Sequence, residues 1–89
     1  MEEEQLRKTL DQLHRELEQN PKLAIKERER LQHLAHDIEA LLREEPPPSV
    51  QVESVNRRLE SEIAEFEMTH PTLTETMSKL LAILSSAGI

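Results

Sequence analysis

Apolar residues recur at alternating intervals of three and four along almost the whole chain, and prolines mark the breaks between the runs. Residues three and four apart lie on the same helical face, so each run forms one stripe of an α-helix. The four runs are Leu6, Leu10, Leu13 and Leu17; Leu31, Leu34, Ile38 and Leu41; Val52, Val55, Leu59, Ile63 and Phe66; and Leu73, Met77, Leu80, Leu84 and Ala87. The sequence therefore predicts an all-α protein built from four amphipathic helices.

Prolines also indicate where the predicted helices end. Asn20-Pro21 ends the first, the run 46–48 ends the second, and His70-Pro71 separates the third from the fourth. Proline fixes its own φ, lacks a backbone N–H, and disfavours helical geometry in the residue before it. The predicted helices cover about residues 2–19, 25–44, 49–69 and 72 onwards, with Ser49 as the N-cap of the third.

We predict one domain, 1–89, made of an N-terminal helical hairpin (1–45), a proline linker (46–48) and a C-terminal helical pair (49–89). The connections are short, and short connections between helices favour antiparallel neighbours. The expected architecture is two antiparallel hairpins in a four-helix arrangement, completed either within one chain or by dimerisation.

The core that this chain can build is small. Of its 89 residues, 14 are leucine, Phe66 is the one aromatic residue, and there is no cysteine to form a disulfide or bind zinc. A chain of this length buries only about 60–65% of its unfolded surface. Because self-association would bury more apolar surface, we expect a homodimer, together with a protein partner that the sequence does not identify.

The fourth segment is the expected place for two copies to meet. Its apolar residues span about 160° of the helical wheel, whereas the first two segments offer single rows of leucine. A face this broad needs several neighbours or a second chain to cover it. The candidate interface residues are Leu73, Met77, Leu80, Leu81 and Leu84.

The net charge of −7 is spread along the chain and argues against nucleic-acid binding. Lys and Arg total 11 against 18 Asp and Glu, and they dominate no segment. The basic face and the stacking aromatic residues that nucleic-acid binding requires are both lacking. An anionic membrane would repel this surface, no apolar run reaches membrane-spanning length, and the Met-Glu-Glu-Glu-Gln start is unlike a signal peptide. We therefore expect a cytoplasmic protein.

One pair of histidines has a spacing that metal sites use. His33 and His36 lie three apart, near Glu29 and Asp37, and such a pair can hold a metal ion on one helical face. Both histidines project away from the leucine row, however, and stable sites need three or four convergent ligands. Solvated histidines are the better interpretation.

The segment Glu67-Met68-Thr69-His70 matches the Glu-x-x-His element of di-iron four-helix proteins. Such a site needs a second copy of the element and two further glutamates, and the sequence contains no second copy. There is also no cysteine nucleophile, no serine in a nucleophile elbow, and no glycine-rich phosphate loop. We therefore predict no catalytic residue, no metal site and no cofactor.

The same segment is better explained as a structural elbow, with five candidate residues: Phe66, His70, Pro71, Thr72 and Glu75. Thr72 and Glu75 have the spacing of a capping box, so Thr72 is expected to be the N-cap of the fourth helix. The His70 ring is expected to lie on the core stripe and to hydrogen-bond backbone groups freed at the break. A pH-sensing role for His70, beside Glu67, is an alternative.

Two motifs stand out, namely Phe-Glu-x-x-His-Pro-Thr at 66–72 and Leu-Ser-x-x-Gly-Ile at 84–89. They resemble the elbow and tail of a small bacterial family, domain-of-unknown-function family 4404. The resemblance extends to a leucine-rich first helix and to Asp37-Ile38-Glu39 in the second, while members often have Met where this chain has Ala87. It implies a stand-alone, helical, cytoplasmic bacterial protein and supplies no activity, substrate or catalytic residue.

For function, we predict a non-enzymatic protein–protein interaction or scaffold module that acts through amphipathic helices. An alternative is an acidic accessory protein of a transcription or toxin–antitoxin system, whose surface neutralises a basic partner. A metal-dependent enzyme built in the bundle is least supported. A neighbouring gene for a basic DNA-binding protein or a toxin would favour the alternative, and bound metal would favour the enzyme.

Overall fold

A computed structural model describes residues 2–44 and 48–86, and these ranges form four α-helices and no β-strand. The helices are α1 (Glu2–Gln19), α2 (Ile25–Leu42), α3 (Ser49–Phe66) and α4 (Pro71–Ser86). The all-α prediction is confirmed. Pro46 and Pro47 of the predicted linker, Ala87 of the fourth stripe and the Gly88-Ile89 tail lie outside the described residues.

The four helices close into a ring in which each packs against the next along the chain and α4 also packs against α1. Neighbours run antiparallel, as their cross-helix contacts show. Asp37 of α2 contacts Arg58 of α3, whereas Arg30, which lies earlier on α2, contacts Glu62, which lies later on α3. The prediction of two antiparallel hairpins in a four-helix arrangement is confirmed, and the bundle measures 36 × 21 × 19 Å.

The leucine stripes form the core of this bundle. Every described residue of the four runs is buried except Ile63, which is partly buried and packs against the others. Val50 and Met68, which the helical periodicity places on the outer side of α3, are 77% and 88% exposed. Burying one such side chain contributes about 1.5–3 kcal/mol, against about 0–1 kcal/mol for a surface ion pair. Apolar packing therefore dominates the stability of the fold.

Helix α4 is covered on two sides because it lies between α1 and α3. Its buried residues are Leu73, Thr74, Thr76, Met77, Leu80 and Leu84. Four of the five candidate interface residues are thus 0–2% exposed within a single chain, and only Leu81 is partly exposed. If two folded bundles met through α4, Leu81 would be accessible to the second copy and the other four candidate residues would not.

Both ends of α1 and the starts of α2 and α3 agree with the prediction, whereas three other helix ends differ from it by one to three residues. Helix α2 ends at Leu42 and α3 at Phe66, earlier than expected. Ser49 is the first residue of α3 and not its N-cap, because Pro48 occupies the N-cap position with φ −63° and ψ 127°. That extended geometry suits a proline, whose ring already fixes φ near this value.

Candidate functional site

The two turns at one end of the bundle contact each other, and we call this region the elbow end. It comprises the turn between α1 and α2 (20–24) and the turn between α3 and α4 (67–70). The Asn20 Nδ2 atom lies 3.4 Å from His70 Nδ1, so the amide can donate to the ring when the ring proton is on Nε2. This contact links the first half of the chain to the second across 50 residues.

Asn20 organises the elbow end, a role that the sequence-based prediction missed. Its carbonyl oxygen accepts a hydrogen bond from Arg28 Nη2 at 2.7 Å. Its Oδ1 accepts one from the backbone N–H of Lys22 at 3.0 Å, which closes an Asx-type turn. The signal for the turn was present in Asn20-Pro21. The contact with His70 has no comparable signal, because it depends on which turns become neighbours in space.

The His70 ring lies against Phe66, with 5.8 Å between ring centroids, and is half-buried. Its hydrogen-bond partner is the Asn20 side chain across the bundle, and not the local backbone as predicted. The backbone at the break is satisfied locally, since the N–H of His70 donates to the carbonyl of Phe66 at 2.8 Å. The ring therefore closes the end of the core.

Arg30 covers Phe66 from the α2 side. Its guanidinium carbon lies 5.5 Å from the ring centroid, within the range of a cation–π contact. Its Nε donates to Glu62 at 2.8 Å, and its Nη2 donates to Glu65. The hydrogen bond to Glu62 is the main cause that raises the pKa of Arg30 above its ordinary value. Through these two contacts the guanidinium holds α2 to the end of α3.

The predicted capping box at Thr72 and Glu75 is wrong. Helix α4 begins at Pro71, and the Thr74 N–H donates to the carbonyl of His70 at 3.1 Å, so His70 occupies the N-cap position. Proline suits the first helical position because its φ is helical and its missing N–H would have had no helical partner. Of the five elbow residues, Phe66, His70 and Pro71 lie together at the elbow, while Thr72 and Glu75 are exposed on α4.

A polar cluster joins α1 to α4 next to the elbow end. Glu16 Oε2 accepts hydrogen bonds from Thr76 Oγ1 at 2.9 Å and from Gln12 Nε2 at 3.1 Å. Thr76 is only 2% exposed, and the other oxygen of the Glu16 carboxylate is buried with no hydrogen-bond partner among the described residues. The hydroxyl of Thr76 is therefore an important partner for this carboxylate.

Replacing Thr76 with valine should lower the free energy of unfolding by about 1–3 kcal/mol, because an isosteric side chain removes a hydrogen bond to a partly buried carboxylate. Thr72→Val, at an exposed position one turn earlier, should change it by less than about 0.5 kcal/mol. Urea unfolding followed by circular dichroism measures both. Equal losses for the two variants would show that Thr76 donates no significant hydrogen bond to Glu16.

Ionisable side chains also connect α1 to α2 and α2 to α3. His14 of α1 contacts Glu39 of α2 through Nε2, and its ring lies 5.7 Å from that of His36. Arg58 of α3 donates to Asp37 of α2 at 2.6 Å. His33 and His36 are both exposed, and the ring that lies near His36 is that of His14 on α1.

The surface between neighbouring helices carries grooves of about 240–430 Å³. The largest of these lies between α1 and α4 and is lined by Gln5, Lys8, Thr9, Lys79, Ala82 and Ile83. Among residues 2–44 and 48–86, no group of three or more His, Cys, Asp or Glu side chains is placed to hold a metal ion. Several of the described ionisable side chains connect one helix to another, whereas others, such as Glu60 and Glu75, are exposed on the outer faces.

These features define a class of protein: a small four-helix bundle with a leucine core and several polar contacts between neighbouring helices. None of the described helices is both long enough and apolar enough to cross a membrane. The family model for domain of unknown function DUF4404 matches residues 6–89, and the chain belongs to this family. No curated protein and no solved structure matches it.

Proposed function

We propose that this protein is a non-enzymatic interaction module that binds other proteins through the outer faces of its helices. The observation that supports this most is where the reactive side chains lie. Glu16, His14 and Arg30 each contact a neighbouring helix of the same bundle. Because these three contacts lie on separate seams, Glu16, His14 and Arg30 do not converge on one groove.

A bundle of this kind is suited to recognition by fixed helical faces. Its turns are tied to each other at the elbow end by Asn20 and His70, and its helices are joined side by side through Glu16, His14 and Arg30. A preorganised surface loses less conformational entropy on binding than a flexible one. Binding through helical faces also agrees with the absence of an enclosed cavity among the grooves described above.

Site-specific photo-crosslinking in the native cell tests the proposal. A benzophenone side chain would replace one exposed residue on each helix, namely Gln19 on α1, Ala40 on α2, Ser61 on α3 and Ser78 on α4. We expect one face to form strong cross-links to a defined protein and the opposite face to form few. Equal labelling from all four positions, or none above that of a folded variant without the photo-reactive group, would contradict the proposal.

The outer face of α3 favours a second candidate, an acidic accessory protein that binds a basic partner. Glu53 and Glu60 of α3 and Glu67 in the turn after it lie at intervals of seven and are all exposed. Complementary charge speeds association and selects partners. In the same crosslinking experiment, a basic protein captured from Ser61 of α3 and released by salt would support this candidate.

A further inference from the structure

We propose that two copies of this chain associate through the outer face of α4, antiparallel about a two-fold axis that pairs Glu75 of each copy with Lys79 of the other. This inference rests on the proposed interaction function and names one surface and one partner. The contact proposed here replaces the one expected from the sequence, because Leu80 and Leu84 are 0% and 1% exposed and cannot contact a second folded copy.

The outer face of α4 is the least charged helical face among the described residues. Its exposed residues are Pro71, Thr72, Glu75, Ser78, Lys79, Ala82 and Ser85. The one acid and the one base cancel, whereas the outer face of α3 carries Glu53, Arg57, Glu60 and Glu65. Since each copy has a net charge of −7, a contact face with so few charges adds little repulsion between copies.

The two charges on this face are available and self-complementary. Glu75 and Lys79 are four residues apart, a spacing that allows an ion pair within one helix. Neither, however, forms an ion pair or a side-chain hydrogen bond with another described residue. A contact between two identical faces places residue i against j and j against i. An axis level with Met77 therefore forms both Glu75–Lys79 pairs at once.

The same axis places small residues where the two helices approach. Thr72 of one copy faces Ala82 of the other, and Ser78 lies next to the axis. Near Ala82, the partly exposed Leu81 and Ile83, which lines the groove between α1 and α4, provide apolar surface that a second copy would bury. The groove is also lined by Lys79, which is available to a carboxylate of the second copy, and by Lys8, which pairs with Glu4 of its own helix at 3.7 Å.

Charge reversal tests this arrangement with the full chain. Glu75→Lys and Lys79→Glu each set two like charges against each other on both sides of the axis, so each should raise the dimer Kd by about tenfold or more. The double variant restores opposite charges and should return the Kd to within about threefold of the wild-type value. Sedimentation equilibrium at low salt measures the Kd, and circular dichroism verifies that every variant stays helical.

A matched pair on α3 serves as the control. Glu53 and Arg57 are also exposed and four residues apart, so Glu53→Lys and Arg57→Glu should leave the dimer Kd unchanged. A wild-type chain that is monomeric at all accessible concentrations would overturn the inference, as would a double variant that does not restore the dimer. A monomer that still cross-links to another protein would leave the proposed function standing. A dimer that cross-links to no other protein would support the α4 contact but contradict the proposed function.

Discussion

Replacing Phe66 with alanine is expected to lower the free energy of unfolding by about 3–5 kcal/mol, among the largest losses available to a single truncation in this chain. Phe66 is the one aromatic residue of the sequence and is 1% exposed at the end of the core. The His70 ring and the Arg30 guanidinium also pack against its ring. Removing it leaves a cavity and takes away the surface on which both side chains rest.

Met68→Ala is the control, because Met68 lies two residues further on and is 88% exposed. We expect this variant to change the free energy of unfolding by less than about 0.5 kcal/mol. Thermal and urea unfolding, each followed by circular dichroism, give the two values. If both variants were equally stable, Phe66 would not occupy the core position that the structure describes.

Leu80→Glu is expected to abolish the fold. Leu80 is 0% exposed in α4, the helix that packs against both α1 and α3. A carboxylate there would be buried among apolar groups with no cation to pair with, and an isolated buried charge costs more than a small domain can tolerate. The far-UV circular dichroism signal should therefore lose its helical minima at room temperature.

Ala64→Glu provides the comparison, since it adds the same side chain at an exposed position of α3 and should remain helical. A Leu80→Glu variant that stayed folded and only changed its association state would contradict the structure. It would instead place Leu80 at an interface between copies, where the sequence alone suggested it.

The helices and their buried faces follow from the sequence because local spacing determines them. The stripe from Leu6 to Leu17 is buried at every described position, as the interval of three and four residues requires. The broad apolar face of α4 was expected to be covered either by several neighbours or by a second chain. A helical wheel cannot say whether those neighbours come from the same chain, and here α1 and α3 of one chain cover Leu73 and Leu80.

The contacts at the seams were not predictable in the same way. The hydrogen bond from Thr76 to Glu16 joins residues 60 apart, and that from Asn20 to His70 joins residues 50 apart. Such pairs depend on how the four helices pack together, and this packing has no local signature in a single sequence. The start of α4 was mispredicted for a different reason. Two local signals competed, and proline at the first helical position prevailed over the Thr72–Glu75 spacing.

The packing of α1 against α4 also governs when this chain can fold during synthesis. Leu6, Leu10 and Leu13 of α1 are made first, but they are covered only when both α2 and α4 are in place. Until α4 has left the ribosome, the nascent chain exposes leucines of α1 that α4 covers in the folded bundle. A chain that ends before α4 therefore keeps this apolar surface exposed, and exposed apolar surface makes an incomplete chain prone to aggregate.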